Sequence, residues 1–191
     1  MIIDIHKLAR NLENRRKLGE DKIVVTSGGF DPLHIGHVRC IQESARIANT
    51  NNTYQGSGVL IVIVNGDGFL TRKKGKPFMP HQERMEIINA LHGVDYVTGW
   101  DDGSQTVVGA LELLKPHFFC KGGDRSTAAN VPEFDVCDKL KCMVVFGVGG
   151  TDKVQSSSDL IKLSKKEECY HTWVMDGHNA GDPICSKCLK R

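Results

Sequence analysis

KIVVTSGGFDPLHIGHVRCIQESARIA, residues 22–48, changes its periodicity halfway. Lys22 to Thr26 is a short β-branched run ended by Gly28 and Gly29, and from Val38 to Ala48 the apolar residues recur at helical spacing. Strand, glycine-rich turn, helix is the opening unit of a parallel sheet with covering helices. A polar loop from Asn49 to Gly58 leads to VLIVIV, residues 59–64. A run so uniformly apolar predicts a strand buried on both faces, as parallel strands are.

Outward from these two strands the alternation continues. The spacing predicts helices from about His81 to His92, Thr106 to Leu114 and Pro132 to Lys139, and strands at Tyr96-Val97, His117 to Cys120 and Met143 to Phe146. A helix capped by the serines at 156–158 follows through Leu163. Upstream, Ile5, Leu8 and Leu12 mark an amphipathic helix that Gly19 stops. The fold class expected is α/β, a doubly wound Rossmann-like parallel sheet, because strands alternating with helices favour right-handed crossovers. The expected organisation is an N-terminal helix (1–20), a main domain (21–164) and a tail (165–191) in which the periodicity stops.

The 191 residues suit one core with a little extra, and 40% hydrophobic with 25% charged residues is ordinary globular composition. A formal net charge of +2 is too small to indicate a nucleic-acid partner. The N-terminal stretch has early charges and no apolar core, and no run approaches the roughly 18 apolar residues of a membrane span, so a cytoplasmic protein is expected. Seven cysteines, an odd number with three crowded near the end, argue against a disulfide framework and for a metal site in the tail.

In a doubly wound sheet, ligands bind beyond the carboxyl ends of the strands, and residues 28–37 lie where the first strand passes to the first helix. Glycines there let the backbone approach a phosphate, and a helix beginning near Gly36 or His37 turns free N–H groups and a positive dipole end toward an anion. His34 and His37, three apart around a glycine, can face one phosphate as charge-assisted donors. By themselves they equally suit a structural pair.

GGFDPLHIGH in this setting resembles the signature of the HxGH nucleotidyltransferase superfamily, which includes cytidylyltransferases and adenylyltransferases. The resemblance runs from about Lys22 to Leu163 through three more segments. RKKGKPFMPHQER, residues 72–84, is similar to the family's lysine-containing loop followed by a helix whose arginine, here Arg84, faces the nucleotide; Lys73, Lys74 and Lys76 are point charges on flexible stems. KGGD, residues 121–124, resembles a segment of bacterial heptose-phosphate adenylyltransferases, where Asp124 would accept from ribose or base. QSSS, residues 155–158, looks like the family's serine motif at a helix N-terminus, a second phosphate cradle. Relatives often carry an arginine shortly before that motif; Lys153 stands there instead and cannot form the same bidentate clamp.

The resemblance implies a nucleotidyltransferase in which an acceptor phosphate attacks the α-phosphorus of a nucleoside triphosphate and pyrophosphate leaves. His34, His37, Lys76 and Ser156 would be catalytic; Gly29, Phe30, Asp31, Lys73, Arg84, Gly123, Asp124, Ser157 and Ser158 would bind the nucleotide. Mg2+ would accompany the triphosphate, and a homodimer is expected by analogy. ATP with a phosphorylated sugar or polyol is favoured through KGGD and RKKGKP, while CTP with glycerol phosphate or a similar acceptor stays open. A reading of another class is an inactive nucleotide-binding module whose tail mediates interactions.

That tail carries Cys169-Tyr170-His171 and, after thirteen intervening residues, Cys185-Ser186-Lys187-Cys188. Thiolates and imidazole suit tetrahedral Zn2+, and Cys-x2-Cys is a common half-site. The expected ligands are Cys169, His171, Cys185 and Cys188, with His178 an alternative to His171, against a disordered tail with free thiols. Zinc would supply folding free energy that so short a segment cannot draw from a core.

Overall fold

The computed structural model describes residues 1–17, 22–50, 58–123, 131–150, 155–165, 173–174 and 184–185. They divide into a unit of Met1–Ser157 and a unit of Ser158–Arg191. The first is built on a five-stranded, all-parallel sheet of order β3-β2-β1-β4-β5, with β1 Ile23–Gly28, β2 Val59–Asn65, β3 Tyr96–Trp100, β4 Phe118–Gly122 and β5 Met143–Val148. The chain steps from β1 outward to β3 and then crosses to β4 on the other side of β1, so the strand order reverses between β1 and β4. Thr26 of β1 lies opposite both Val62 of β2 and Cys120 of β4, a central position in the sheet.

The period of two in the strands sorts side chains onto two cores. Val24, Leu60, Val62 and Val64 face α2 (Ile35–Asn49) and α4 (His81–Asn89) through Ile41, Ala45, Ala48 and Ile88. Ile23, Val25, Ile61, Ile63 and Phe119 face the other way, toward α1 (Ile5–Lys17), α5 (Val108–Leu114) and α6 (Phe134–Lys139). Every residue of β2 is buried, as its unbroken apolar run predicts.

Helix α1 is an integral layer of this unit. Leu8 and Leu12 are fully buried, the segment before the helix exchanges backbone bonds with Val97 of β3, and the Arg16 guanidinium caps the last carbonyls of α5 at Leu114 and Lys115. One helix is absent from the sequence expectations: Asp67–Lys74, α3, which follows β2 after Gly66 and carries Lys73 and Lys74 on its last turn instead of in a loop. Among the described residues no helix is long and apolar enough to cross a membrane.

Helix α7, Ser157–Lys165, starts at the unit boundary. In the second unit, β6 (Trp173–Val174) pairs antiparallel with β7 (Ile184–Cys185). The expected zinc ligands Cys169, His171 and Cys188, the alternative His178, and the side chain of Cys185 lie outside the described residues, as do Asp124, Lys153 and most of the 49–58 loop.

Candidate active site at the carboxyl end of β1

Strand β1 ends in a turn with no room to spare. A Cβ on Gly28 would come within 2.9 Å of the Phe30 ring, and one on Gly29 within 2.8 Å of Leu70. Phe30 itself takes φ 51, which swings its ring back beneath the turn, 4% exposed and edge-on to His37 at 5.1 Å between centroids. The expectation that Phe30 binds nucleotide is corrected at its side chain: the buried ring supports His37.

His34 holds the N-cap position of α2 in extended conformation, and its ring stacks on that of His37 at 3.7 Å and 21°. Gly36 permits this, since a Cβ there would sit 3.2 Å from the His34 ring. The His34 backbone N–H points at His37 Nδ1 at 3.4 Å, which makes Nδ1 the acceptor and leaves the proton of a neutral ring on Nε2. Burial, reinforced by repulsion from His34 and Lys74, pushes His37 down to about 4, and burial lowers His34 too. The pair is therefore neutral at pH 7 in the ligand-free protein, a correction to the expectation of standing charge-assisted donors.

Asp31 is also reassigned. Its carboxylate is buried and accepts from the Phe78 and Met79 N–H groups at 2.8 and 2.7 Å, with the Lys74 ammonium at 2.7 Å. Burial alone would raise this carboxyl, but Lys74 and the two amides outweigh it and hold it below the usual carboxylate range. Lys74 also donates to the Asp31 carbonyl. Asp31 thus fastens the 75–80 loop to the β1 turn, with three of its roughly four lone-pair directions already taken inside the protein. Lys73 and Lys76 remain exposed on either side of Gly75.

The largest correction is Arg84. It is 0% exposed, and its guanidinium donates to the carbonyls of Met79, Gly29 and Asn65 at 3.0, 2.8 and 2.6 Å and to Asp67 Oδ1 at 2.6 Å. A planar fork with five N–H donors suits such a hub. Arg84 ties the ends of β1 and β2 to the starts of α3 and α4 and does not face a ligand. Asp67, which the sequence reading passed over, also accepts from the His81 N–H at 3.2 Å; the Gly66-Asp67 step directly after a strand was the available signal.

On the face opposite α2, the Lys121 ammonium lies 3.3 Å from Ser27 Oγ and 3.4 Å from Glu133 Oε2, both charged side chains nearly buried at 12% and 7% exposure. Glu133 Oε1 accepts from the Val107 N–H at the start of α5. Gly123 follows with φ 64. From the far end of the unit, Ser157 Oγ donates to the Pro32 carbonyl at 2.9 Å, which brings the serine motif to the GGFDP turn across 125 residues. Ser156 is half-buried beside it in the chain; Ser158 belongs to the second unit. A cavity of about 550 Å³ between α2 and β5, lined by Arg39, Arg46, Val145 and Gly149, contains none of the candidate residues.

Comparison with known proteins bears on the family and the fold. The model of the family described as cytidylyltransferase-like matches residues 25–172. The chain is 32% identical over 168 residues to the "Bifunctional protein HldE" of Aliarcobacter butzleri, covering 87% of this chain and 31% of that protein. It is 34% identical over 174 residues to the protein of the same name in Blochmanniella pennsylvanica, covering 87% and 32%. It thus spans about a third of the length of these relatives. A crystal structure described as the lipopolysaccharide core biosynthesis protein from Thermoplasma volcanium GSS1 shares the fold, with a TM-score of 0.51 at 21% identity over 65% of this chain and 93% of that one. With the family model spanning the sheet, the β1 turn and the serine motif alike, the chain belongs to the cytidylyltransferase-like family.

Proposed function

We propose that this chain transfers a nucleoside monophosphate from a nucleoside triphosphate to a phosphorylated sugar or polyol, with release of pyrophosphate. The observation that carries this reading is the stacked His34–His37 pair at the reversal of strand order, with the serine motif drawn to the same turn. An acceptor phosphate oxygen attacks the α-phosphorus in line, the bond to the bridging α,β-oxygen breaks, and pyrophosphate departs. No covalent enzyme intermediate is needed, so positioning and electrostatic stabilisation do the catalysis. The His37 Nε2–H, the first N–H groups of α2 and the exposed Lys73 and Lys76 receive the triphosphate. In-line geometry then asks for the acceptor on the opposite side of the α-phosphorus, where Lys121 and Ser27 lie on the other face of the sheet.

Mg2+, when bound with the triphosphate, neutralises charge on its oxygens. Asp31 already serves Lys74 and two backbone amides, and Asp67 serves Arg84 and the His81 N–H while staying 46% exposed, so phosphate and water oxygens would supply most of the donors to the ion. ATP is the favoured donor, on the likeness of KGGD and RKKGKP to heptose-phosphate adenylyltransferases. Pyrophosphate release measured with each of the four common triphosphates against a panel of sugar and polyol phosphates tests the proposal; signal with CTP alone would move the assignment to a cytidylyltransferase, and no signal with any pair would overturn it.

We also propose that Cys169, His171, Cys185 and Cys188 hold a structural Zn2+. The antiparallel pairing of Trp173 with Cys185 supports this, because in the sequence the first half-site lies just before β6 and the second starts on the last residue of β7. The expected outcome is one zinc per purified chain by metal analysis, lost in Cys185→Ser. Zinc content unchanged in that variant would contradict the assignment.

A further inference from the structure

Helix α6 ends in a way that brings two cysteines together. Lys141 adopts the left-handed region at φ 56, and the Cys142 N–H closes back on the Cys137 carbonyl at 2.8 Å. This six-to-one closure is the Schellman ending, which places the side chains of its first and last residues in contact. Usually that contact is a pair of hydrophobic side chains. Here it is two thiols, with Cys142 within hydrogen-bonding reach of the Cys137 sulfur and both buried in the core beneath β4 and β5. Neither is needed for the proposed transfer chemistry.

We propose that Cys137 and Cys142 form a dithiol site that a peroxide converts reversibly to an intrahelix-cap disulfide. A disulfide needs Cα atoms about 4.4–6.8 Å apart, and the 2.8 Å bond from the Cys142 N–H to the Cys137 carbonyl folds the chain so that these two residues close the turn. In the first step the Cys137 thiolate attacks one oxygen of hydrogen peroxide; the O–O bond breaks, Cys137 becomes a sulfenic acid, and hydroxide leaves. In the second, the Cys142 sulfur attacks the Cys137 sulfur; the S–O bond breaks, and the hydroxyl leaves as water with the Cys142 proton. The two thiols lose two electrons and two protons, and the peroxide takes them up as water.

The order of attack follows from the surroundings. The Cys142 thiol, whose Sγ also reaches the Met143 carbonyl at 4.0 Å, lowers the neighbouring Cys137 thiol, whereas burial raises Cys40 and pushes Cys120 up to about 12. Lys121 adds an attractive charge near Cys137, against the opposing Glu133. Glu133, which pairs with Lys121 of β4, stands immediately before the same helix.

The full chain decides the matter by peptide mapping. Reduced protein is exposed to hydrogen peroxide at neutral pH, alkylated, and digested with trypsin under denaturing conditions without reductant. Cleavage after Lys139 and Lys141 places the cysteines on separate peptides, 126–139 and 142–153. The expected result is a linked pair of these peptides, two hydrogens lighter than their sum, released by dithiothreitol. In Cys142→Ser, Cys137 is expected to stop at the sulfenic acid and be captured by dimedone. The proposal fails if native protein shows Cys137 alkylated or overoxidised without the link, if Cys40–Cys120 linkage forms at least as fast, or if Cys142→Ser gives no dimedone adduct at Cys137.

Discussion

His37 is a neutral donor poised to become charged. Its folded-state value of about 4 lies below the ordinary 6.5, so at pH between these values the unfolded chain binds a proton that the ligand-free fold refuses. Stability is therefore expected to be full above 6.5 and to decline as pH falls toward 4, by up to about 3 kcal/mol, and His37→Gln should flatten that decline in urea titrations across pH. A bound triphosphate reverses the preference, so nucleotide binding should take up a proton near pH 6, visible as a buffer-dependent heat in calorimetry. His37→Ala should cost about 10²–10³ in kcat, the usual price of losing one stabilising donor. Gly36→Ala separates site from fold: helix propensity favours alanine by roughly 0.5–1 kcal/mol, while the 3.2 Å approach of the new methyl displaces the His34 ring. Thermal stability should hold or rise while kcat/KM falls roughly tenfold to a hundredfold.

Among the elements, the turns after β1 and β2 act as one body because Arg84 joins them. Replacing Arg84 by Leu leaves Asp67 and the carbonyls of Gly29, Asn65 and Met79 without their donor. The expected loss is about 3–5 kcal/mol in the denaturant midpoint, and Arg84→Lys should rescue little of it, since a single ammonium cannot reach four acceptors on separate elements. Replacing an arginine that contacted the nucleotide would instead raise the nucleotide Kd at unchanged stability. Here the motif was legible and its role was not: RKKGKPFMPHQER marks where the arginine stands, but burial depends on the packing of α4 against β2 and β3. Helix α3 escaped notice for a related reason. Its short run, DGFLTRKK, buries only Phe69 and Leu70, too little apolar pattern to show a helical period.

Across the first unit, α1 completes the core on the α5 face of the sheet. Leu12→Ala should cost about 2–5 kcal/mol and lower Tm accordingly, because Leu12 is fully buried here and its truncation leaves a cavity. A helix that were only an appendage would give no such loss.

What the sequence by itself determined was local: the β-branched run ended by two glycines, the all-buried β2, the helical spacings, and the two histidines around Gly36. These follow from preferences that act over a few residues, such as side-chain period, capping and the conformational freedom of glycine. Tertiary structure alone decided the partners. Asp31 meets Lys74 and the amides of 78 and 79, Lys121 meets Ser27, and Ser157 meets Pro32, across separations of 43 to 125 residues. Those meetings depend on strand order and on which face each helix covers, and they determine which polar groups are consumed inside the protein and which still face a phosphate.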